Sequence, residues 1–429
     1  MSIEAQAKLA RESSIKLAVL STNTKNKALS AIAASIKKNS KQILDANKKD
    51  VEAAKKSGLS DVLVKRLLVD NHKIDEIIAE VKGVAKLDDP SGKTISQMEL
   101  DNNLMLYQVT CPIGVIGAIF ESRPDVVPQI SSLCLKSGNA VILKGGSEAL
   151  HSNRILVKII SEAAEKNGIP KGAIQLIETR EQVAQMLKMD KYISLIIPRG
   201  SNAFVKYVQS NTKIAVLGHS DGICHVYVDK TADLKKAVDI SFDAKCQYPA
   251  VCNAMETLLV HKDIAKKFLP LVAGKLKRAN VELRGDASTR KIIDSKAATE
   301  KEWETEYNDL ILSIKIVKDV NEAIEHINKY GSKHTDAIVT EDKKNAEIFM
   351  SFVDSASVVW NASTRFADGF RYGKGAEVGI STAKIHARGP VGLEGLVIYK
   401  YKLVGKGQIV ADYSSGKKKF RHKIIKKLF

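Results

Sequence analysis

One cysteine of the sequence stands where a nucleophile could work. Cys252 lies in segment 247–257, a loop between a predicted helix and a predicted strand, and Pro249 fixes the approach of the chain. A cysteine in a loop directly before a strand can be exposed at a sheet edge, where its thiolate can attack an electrophilic carbonyl carbon. Considered alone, however, a single cysteine favours a structural role.

Other combinations of reactive residues give weaker signals. Cys224 and His225 are adjacent in a predicted strand, so their side chains point to opposite faces and a packed pair is favoured over a catalytic dyad. Segment 373–375, Gly-Lys-Gly, suggests phosphate binding, but its spacing fits neither nucleotide-binding motif. Local spacing therefore leaves Cys252 as the candidate of most interest.

The bulk composition predicts a globular protein with anionic ligands. The chain has 429 residues and a net charge of +18, which predicts two or three domains and suits an enzyme that binds anions. Segment 414–429 is rich in lysine and arginine and contains no acidic residue. We interpret it as a solvated tail, and contact with nucleic acid or an anionic membrane surface is the alternative.

The cysteine content and the apolar pattern restrict the class of protein further. Five cysteines without a CxxC pair argue against a disulfide framework and a zinc ribbon, and we predict no metal site. The longest apolar stretches have the length of strands, so no membrane span is expected. The N-terminal segment lacks an apolar signal core, which favours the cytoplasm.

Hydrophobic periodicity predicts helices first and an α/β alternation afterwards. Residues 1–85 have helical spacing, segment 88–92 breaks the pattern, and a strand follows at 104–109. Two series of buried strands then alternate with helices, with a boundary near 217–222. We therefore predict two parallel-sheet α/β domains with a ligand cleft between them. The predicted strands are 115–120, 140–143, 194–197, 214–217, 224–228, 257–260, 314–317, 337–339 and 358–360.

Several segments, in order, resemble the gamma-glutamyl phosphate reductase family of the aldehyde dehydrogenase superfamily. Besides YPAVCNAMETLLVH around Cys252, they are PIGVIGAIFESRPDVVPQ (112–129), SGNAVILKGGSEALHSN (137–153), IIPRGSN (196–202), LGHSDGICHVYVDK (217–230) and NASTRFADGFRYGKGAEVGISTAKIHARGPVGLEGL (361–396). The resemblance covers about residues 110 to 410, and the N-terminal helices are compatible with it.

This resemblance implies an organisation of the chain. It implies two α/β domains of aldehyde dehydrogenase type and a small β flap that pairs subunits in a homo-oligomer. The NADP-binding domain would comprise residues 1–220, of which 93–111 contribute to the flap, and the catalytic domain 221–395. A return segment with an oligomerisation strand would follow at 396–413, before the basic tail at 414–429.

The resemblance also implies a reaction. Cys252 would attack the acyl phosphate carbonyl, phosphate would leave, and the resulting thioester would receive hydride from NADPH. The Cys252 amide would stabilise the negative oxygen of the tetrahedral intermediate. The family's hydrolytic relatives carry a glutamate base where this chain has Val216, and an apolar side chain cannot activate water.

Cofactor contacts follow residue by residue from the resemblance. Lys144 would meet the adenosine ribose or its 2′-phosphate, and Ser147 replaces a glutamate that would repel this phosphate, which favours NADP(H) over NAD(H). Glu148 beside it weakens that preference. Gly200 and Ser201 match the turn against the pyrophosphate, and Glu306 would hold the nicotinamide ribose.

The expected substrate contacts are polar and cationic. Arg123 replaces an oxyanion asparagine of the wider superfamily and suits a phosphate or carboxylate, although an ion pair with Glu121 or Asp125 is an equal alternative. Arg365 is expected to bind an anionic group of the substrate, with Arg199 a weaker candidate, and His219 fits the site, the core or the surface equally well. Ser363 and Asn253 complete the expected set.

The leading hypothesis is NADPH-dependent reduction of L-glutamyl 5-phosphate to L-glutamate 5-semialdehyde in L-proline biosynthesis. A separate glutamate 5-kinase would supply the substrate and is a candidate partner. The alternatives are another member of the superfamily with a different acyl phosphate or aldehyde, and a nucleic-acid-binding protein with a decayed active site. Because the expected Cys252, Lys144 and Gly200 are all present, no nucleic acid partner is expected.

Overall fold

Five helices open the chain in the computed structural model, which describes residues 1–427. Ser2, Ser21 and Asp70 cap three of them by accepting hydrogen bonds from backbone N–H groups of the first turn. Leu29, Ile32 and Ile36 form a buried stripe, as their spacing predicts. The helices are α1 (Ile3–Leu17), α2 (Thr22–Lys38), α3 (Ser40–Lys56), α4 (Asp61–Leu67) and α5 (Asn71–Lys86).

An antiparallel hairpin follows the helices. Strands β1 (Thr94–Asp101) and β2 (Leu104–Pro112) pair through a tight turn, where Asn103 takes a positive φ of 59°. Asparagine tolerates this left-handed conformation better than most residues, which suits it to the turn. Strand β2 begins at residue 104, as predicted, and ends three residues beyond the predicted end at 109.

The first parallel sheet has five strands in the order β5-β4-β3-β6-β7. Its central strands are continuous apolar runs because helices cover both faces. The strands are β3 (Val115–Phe120), β4 (Ala140–Lys144), β5 (Ile174–Leu176), β6 (Leu195–Arg199) and β7 (Ala215–Val216). The helices between them are α6 (Val126–Ser137), α7 (Leu150–Glu165), α8 (Arg180–Met186) and α9 (Asn202–Ser210).

The second parallel sheet has seven strands in the order β11-β10-β12-β9-β8-β13-β14. The strands are β8 (Cys224–Val228), β9 (Met255–His261), β10 (Glu282–Gly285), β11 (Lys296–Ala297), β12 (Ile311–Val317), β13 (Thr335–Val339) and β14 (Ser357–Trp360). The helices are α10 (Leu234–Cys246), α11 (Lys262–Arg278), α12 (Glu300–Trp303), α13 (Val320–Tyr330) and α14 (Lys343–Phe352). The predicted α/β fold with two parallel sheets is confirmed.

After the second sheet the chain returns to the first. Val378, Val391, Leu393 and Leu396 are buried in the same apolar cluster as the first sheet, and β15 (Gly379–Ser381) pairs with β16 (Gly389–Val391). The chain therefore leaves the second sheet well before residue 395, where the sequence analysis places the end of the catalytic domain. Apolar burial against the first sheet is the physical reason.

The last segments complete the flap, which is the antiparallel sheet β17-β2-β1-β18. Strand β17 (Val397–Val404) pairs with β2, helix α15 (Val410–Ser414) follows, and β18 (Lys423–Lys427) pairs with β1. Residues 414–425 of the basic segment are solvent-exposed as expected, but the pairing of β18 makes part of the segment an edge strand rather than a free tail, and residues 428 and 429 lie outside the described residues. Within residues 1–427, no helix combines the length and apolar character needed to cross a bilayer.

Candidate active site

A cleft of about 950 Å³ lies where the carboxyl edge of the first sheet faces the amino edge of the second. Segments that follow β3, β6 and β7 form one wall. The opposite wall carries Cys252, which precedes β9, and Glu306, which precedes β12. The cleft therefore brings together residues that lie far apart in the sequence.

Cys252 is half-buried in this cleft, as its loop position predicts. The Cys224 thiol donates a hydrogen bond to the Cys252 carbonyl at 3.2 Å and so anchors the loop to β8. A Cβ atom on Gly222 would lie 2.3 Å from the Cys252 carbonyl oxygen and 2.7 Å from a Glu306 carboxylate oxygen. Only glycine fits at residue 222, because any side chain would displace both residues.

Two histidines stand next to the Cys252 sulfur. One ring nitrogen of His219, one of His334 and the Cys252 Sγ all lie within 4.8 Å of one another. Nδ1 of His219 is 2.8 Å from the Ile380 carbonyl oxygen, and Nδ1 of His334 is 2.9 Å from the Thr335 hydroxyl. The structure places His219 in the cleft wall, whereas sequence reasoning missed the buried His334, because nothing in a linear pattern links it to Cys252.

Two arginines line the cleft near Cys252. Arg123 donates to Asp125 at 2.7 Å, so the predicted ion pair exists while the guanidinium still faces the cleft. Arg199 donates to the Gln129 amide oxygen at 3.0 Å. Burial, together with the positive charge of Arg123, lowers the pKa of Arg199 to about 10. The guanidinium stays charged near neutral pH, and bound anions would relieve the repulsion between the two arginines.

The other expected substrate residues lie behind the cysteine rather than in the cleft wall. Arg365 is only 8% exposed and donates to the Gln247 amide oxygen at 3.0 Å, while burial lowers its pKa. Ser363 accepts a hydrogen bond from the Arg365 N–H. Asn253 is buried and donates to the Ala367 carbonyl at 2.9 Å.

Three of the five expected cofactor residues line the cleft. Gly200 and Ser201 form the turn between β6 and α9, and the Ser201 N–H donates to a Glu121 carboxylate oxygen at 3.3 Å. A Cβ atom on Gly200 would lie 2.9 Å from the Glu121 carboxyl carbon. Glu306 accepts a hydrogen bond from Asn202 at 2.9 Å and so connects the two walls.

Lys144 and Ser147 lie on the carboxyl edge of the first sheet, outside the lining of this cleft. Lys144 ends β4 and is half-buried, and burial lowers its pKa against the opposing effect of Glu148. Ser147 is exposed at the start of a short 3₁₀ turn. The Glu148 carboxylate accepts hydrogen bonds from the backbone N–H and hydroxyl of Ser122, so its charge is engaged by neighbouring donors.

Sequence reasoning also missed a basic rim on the cleft. Lys65 and Arg66 of α4 and Lys73 of α5 line its mouth. On an amphipathic helix such residues are indistinguishable from ordinary solvated lysines and arginines, because nothing in the sequence shows which helix end faces a ligand. Val216, which the sequence analysis expects at the position of a glutamate base, lies in β7 outside the cleft lining and packs against an apolar cluster.

Comparison with known proteins places this arrangement in a family. The model of the aldehyde dehydrogenase family matches residues 1–302. Gamma-glutamyl phosphate reductase of Methanococcoides burtonii is 59% identical over 98% of this chain and 96% of its own, and that of Acetivibrio thermocellus is 57% identical over 100% of both.

A solved structure agrees with these sequence relatives. The crystal structure of gamma-glutamyl phosphate reductase from Thermotoga maritima superposes with a TM-score of 0.94 at 45% identity, over 95% of this chain and 100% of that one. The resemblance seen in the sequence motifs therefore extends over the whole fold. The chain belongs to the aldehyde dehydrogenase family and, within it, to the gamma-glutamyl phosphate reductases.

Proposed function

We propose that this protein reduces L-glutamyl 5-phosphate to L-glutamate 5-semialdehyde and phosphate, with NADPH as the hydride donor, in L-proline biosynthesis. The observation that carries the proposal is the half-buried Cys252 in a cleft that Arg123 and Arg199 also line. A thiol nucleophile in the same cleft as two guanidinium groups suits an electrophile that carries a dianionic leaving group. The names of the full-length relatives support the same substrate.

The first half of the reaction needs an anion site and a nucleophile. The Cys252 thiolate would attack the acyl carbonyl while Arg123 and Arg199 hold the phosphoryl oxygens. The Cys252 amide would stabilise the negative oxygen that develops on the tetrahedral carbon. Phosphate then leaves with the electron pair of the C–O bond, and the acyl group remains on sulfur as a thioester.

The second half requires protection from water. Val216, at the position of the hydrolytic base, cannot accept a proton from water. The thioester on Cys252 would therefore persist until it is reduced to the hemithioacetal, from which Cys252 would release the aldehyde; hydride is the chemistry that NADPH would supply when bound. Phosphate dependence of the reverse reaction follows from the same property, because phosphate has to replace water as the acyl acceptor.

The residues expected to hold the cofactor offer a suitable donor set. The Ser201 N–H and the turn at Gly200 would face the pyrophosphate. Binding would require the Glu121 carboxylate to move away from the Ser201 N–H, which now donates a hydrogen bond to it. Lys144 would meet the adenosine 2′-phosphate, and Ser147 contributes no repelling charge beside it. Glu306, held by Asn202, would accept a hydrogen bond from the nicotinamide ribose.

The amino-acid end of the substrate would bind behind the cysteine. Arg365 is the proposed partner of the α-carboxylate, which would take the place of the Gln247 amide oxygen on the guanidinium. Asn253 and Ser363 hold the surrounding loops through their hydrogen bonds to Ala367 and Arg365. A carboxylate on a buried arginine forms a strong charge-assisted hydrogen bond.

The flap supports the proposal of a homo-oligomer. Strand β17 is an edge strand with exposed apolar and aromatic side chains, among them Tyr399, Tyr401 and Leu403. Unpaired backbone groups beside such side chains favour pairing with a second copy of the strand. A separate cytoplasmic glutamate 5-kinase would supply the acyl phosphate and is the proposed partner enzyme.

One assay tests the proposed function. Purified protein is incubated with L-glutamate 5-semialdehyde and NADP⁺, with and without inorganic phosphate, and NADPH formation is followed by absorbance. We expect formation only with phosphate, and at least about tenfold lower kcat/KM with NAD⁺. NADPH formation at the same rate without phosphate would instead identify a hydrolytic aldehyde dehydrogenase.

A further inference from the structure

The sulfur of Cys252 and the rings of His219 and His334 form a compact group of soft ligands. Their three ligand atoms lie within 4.8 Å of one another, although the residues are widely separated in the sequence. Thiolate sulfur and imidazole nitrogen are the ligands that zinc prefers in proteins. The sequence predicts no metal site, because none of the local spacings typical of zinc motifs is present.

The hydrogen bonds of the two histidines leave the ring nitrogens needed for a metal. In His219, Nδ1–H donates to the Ile380 carbonyl oxygen at 2.8 Å, so Nε2 keeps its lone pair. In His334, Nδ1 lies 2.9 Å from the Thr335 hydroxyl and 3.7 Å from the Cys224 sulfur, and Nε2 has a free lone pair in the tautomer whose Nδ1–H donates to Thr335. Metal-binding histidines characteristically use one nitrogen for the ion and donate the other N–H to a protein acceptor.

His334 gives an independent sign that the group is incomplete. Its side chain is fully buried, yet within the described residues its Nε2 has no hydrogen-bond partner. A buried polar atom without a partner costs about 1–3 kcal/mol. A ligand that accepts the Nε2 lone pair would remove this penalty.

The distances allow a metal after a small adjustment. Tetrahedral zinc has Zn–N distances of about 2.0–2.1 Å and Zn–S distances of about 2.3 Å, which place neighbouring ligand atoms roughly 3.3–3.8 Å apart. Ligand atoms now within 4.8 Å would have to approach by about 1 Å, which side-chain rotation can supply. Because Cys252 and His219 line the cleft, a fourth position would remain for water.

We propose that Cys252, His219 and His334 form a binding site for a soft divalent metal ion of the Zn²⁺ type, and that the bound ion inhibits the enzyme. On binding, the cysteine S–H bond breaks, its proton passes to solvent and an S–metal bond forms, with no change of oxidation state. The sulfur is then not available to an acyl phosphate. The inhibitory part rests on the proposed function, whereas the binding site does not.

Cobalt titration of the metal-free full-length protein tests the binding site, because Co²⁺ reports its ligands by absorption. We expect a thiolate-to-cobalt charge-transfer band and tetrahedral d–d bands. Cys252→Ser should lose the charge-transfer band, and His334→Asn should weaken Co²⁺ binding at least about tenfold. If His334→Asn does not fold, His219→Asn, in the half-buried cleft wall, decides the point.

Matched controls separate this site from adventitious binding. His72→Asn changes an exposed histidine whose side chain is 82% exposed, and Cys246→Ser changes a half-buried cysteine outside the cleft lining. Both should retain the cobalt spectrum and affinity of the parent. A spectrum without the charge-transfer band, or unchanged affinity in both His219→Asn and His334→Asn, would overturn the proposed site.

The inhibition is measured in the reductase assay with added Zn²⁺ and then with excess chelator. We expect loss of activity at the Zn²⁺ concentrations that displace Co²⁺, full recovery with chelator, and no effect of Mg²⁺, which prefers oxygen ligands. Saturation of the site without loss of activity would refute inhibition. A protein that binds Co²⁺ through Cys252 but shows no reductase activity without metal would refute the proposed function and leave the binding site standing.

Discussion

The two parallel sheets differ sharply in what they bury. In the first sheet, the central strands β3, β4 and β6 are apolar up to Lys144 and Arg199, the last residues of β4 and β6. In the second sheet, titratable residues are buried near the amino ends of the strands, among them His225 in β8, Glu256 in β9 and Asp336 in β13. The wall of the cleft that carries Cys252 is thus supported by a polar interior, and the opposite wall by an apolar one.

Specific hydrogen bonds join these buried groups in pairs, although within the described residues Nε2 of His225 has no partner. His225 and Asp336 are joined at 2.8 Å, and Lys245 of α10 donates to Glu256 at 2.6 Å, with all four side chains at most 1% exposed. Such pairs stabilise little in total, because desolvation offsets their attraction, but loss of one partner is expensive. The edge of the second sheet that holds Cys252 is therefore fixed by buried polar pairs, so its stability should depend on pH. The first sheet depends on apolar packing instead.

The largest effect should come from Cys252, the proposed nucleophile. Cys252→Ala should lower reductase activity by at least about 10³-fold, because the neighbouring Cys224 thiol is fully buried and cannot replace the lost nucleophile. The free energy of unfolding should change little, since the cysteine is only half-buried and lies in a loop. Steady-state kinetics and denaturant unfolding measure the two quantities, and Cys246→Ala is the control expected to keep activity. Retained activity in Cys252→Ala would end the proposed mechanism.

The buried ion pair beneath the cysteine should be next in size. Lys245→Met leaves the Glu256 carboxylate unpaired and should lower the free energy of unfolding by about 3–5 kcal/mol at pH 8. Burial raises the pKa of Glu256 to about 7 even though Lys245 lowers it, so removal of Lys245 should raise it further, and protonation should already reduce the loss as the pH falls toward that value.

Two further variants define this effect. Lys245→Met combined with Glu256→Leu should recover much of the stability, because it removes the unpaired charge. Lys236→Met breaks the exposed pair with Glu341 and should cost less than about 1 kcal/mol. A loss in Lys245→Met that does not vary with pH would contradict a charged, buried Glu256.

A core variant in the first sheet should respond differently. Leu143→Ala in β4 removes a fully buried side chain and should cost about 2–5 kcal/mol by leaving a cavity. Because no titratable group loses its partner, we expect the same cost at pH 6 and pH 8. Denaturant unfolding at both pH values makes the measurement, and Leu271→Ala at a half-exposed position is the control. If the loss of unfolding free energy in Leu143→Ala depended strongly on pH, the two sheets would not differ in the way proposed.

The smallest expected effect concerns His326 of α13. Burial lowers its pKa to about 2, with the charges of His225, Lys315 and Lys329 acting in the same direction. The folded protein therefore keeps it neutral, while the unfolded chain binds a proton below pH about 6.5, so stability falls as the pH drops below that value. Between pH 7.5 and 5 this residue should account for a loss of about 2 kcal/mol.

The pH slope of unfolding measures the His326 contribution. His326→Gln should reduce the slope of stability between pH 7.5 and 5, whatever its effect on absolute stability. His72→Gln, at an exposed position, should leave the slope unchanged. An identical slope in parent and His326→Gln would show that the buried histidine does not couple folding to pH.

The sequence alone predicts many of the secondary-structure elements and the family of this protein. Apolar runs such as 115–120 and 140–143 specify buried strands of a parallel sheet, because only helices on both faces can cover them. Pro249 and the strand after it placed Cys252 in a loop at a sheet edge. Motifs in family order indicate the family, which the full-length relatives confirm, and they predict the chemistry of the cysteine.

Other features depend on contacts between distant residues. His334 lies near Cys252 and His219 only because β13 is the neighbour of β8 in the sheet. Local hydrophobic periodicity does not predict the order of strands in a sheet. The basic rim from α4 and α5, the return of Val378 to the first core and the pairing of β18 with β1 arise in the same way. The sequence determines which segments are helix or strand and which residues are reactive, because these depend on neighbours in the chain. Tertiary structure alone decides which of them meet, because packing joins surfaces that the sequence keeps far apart.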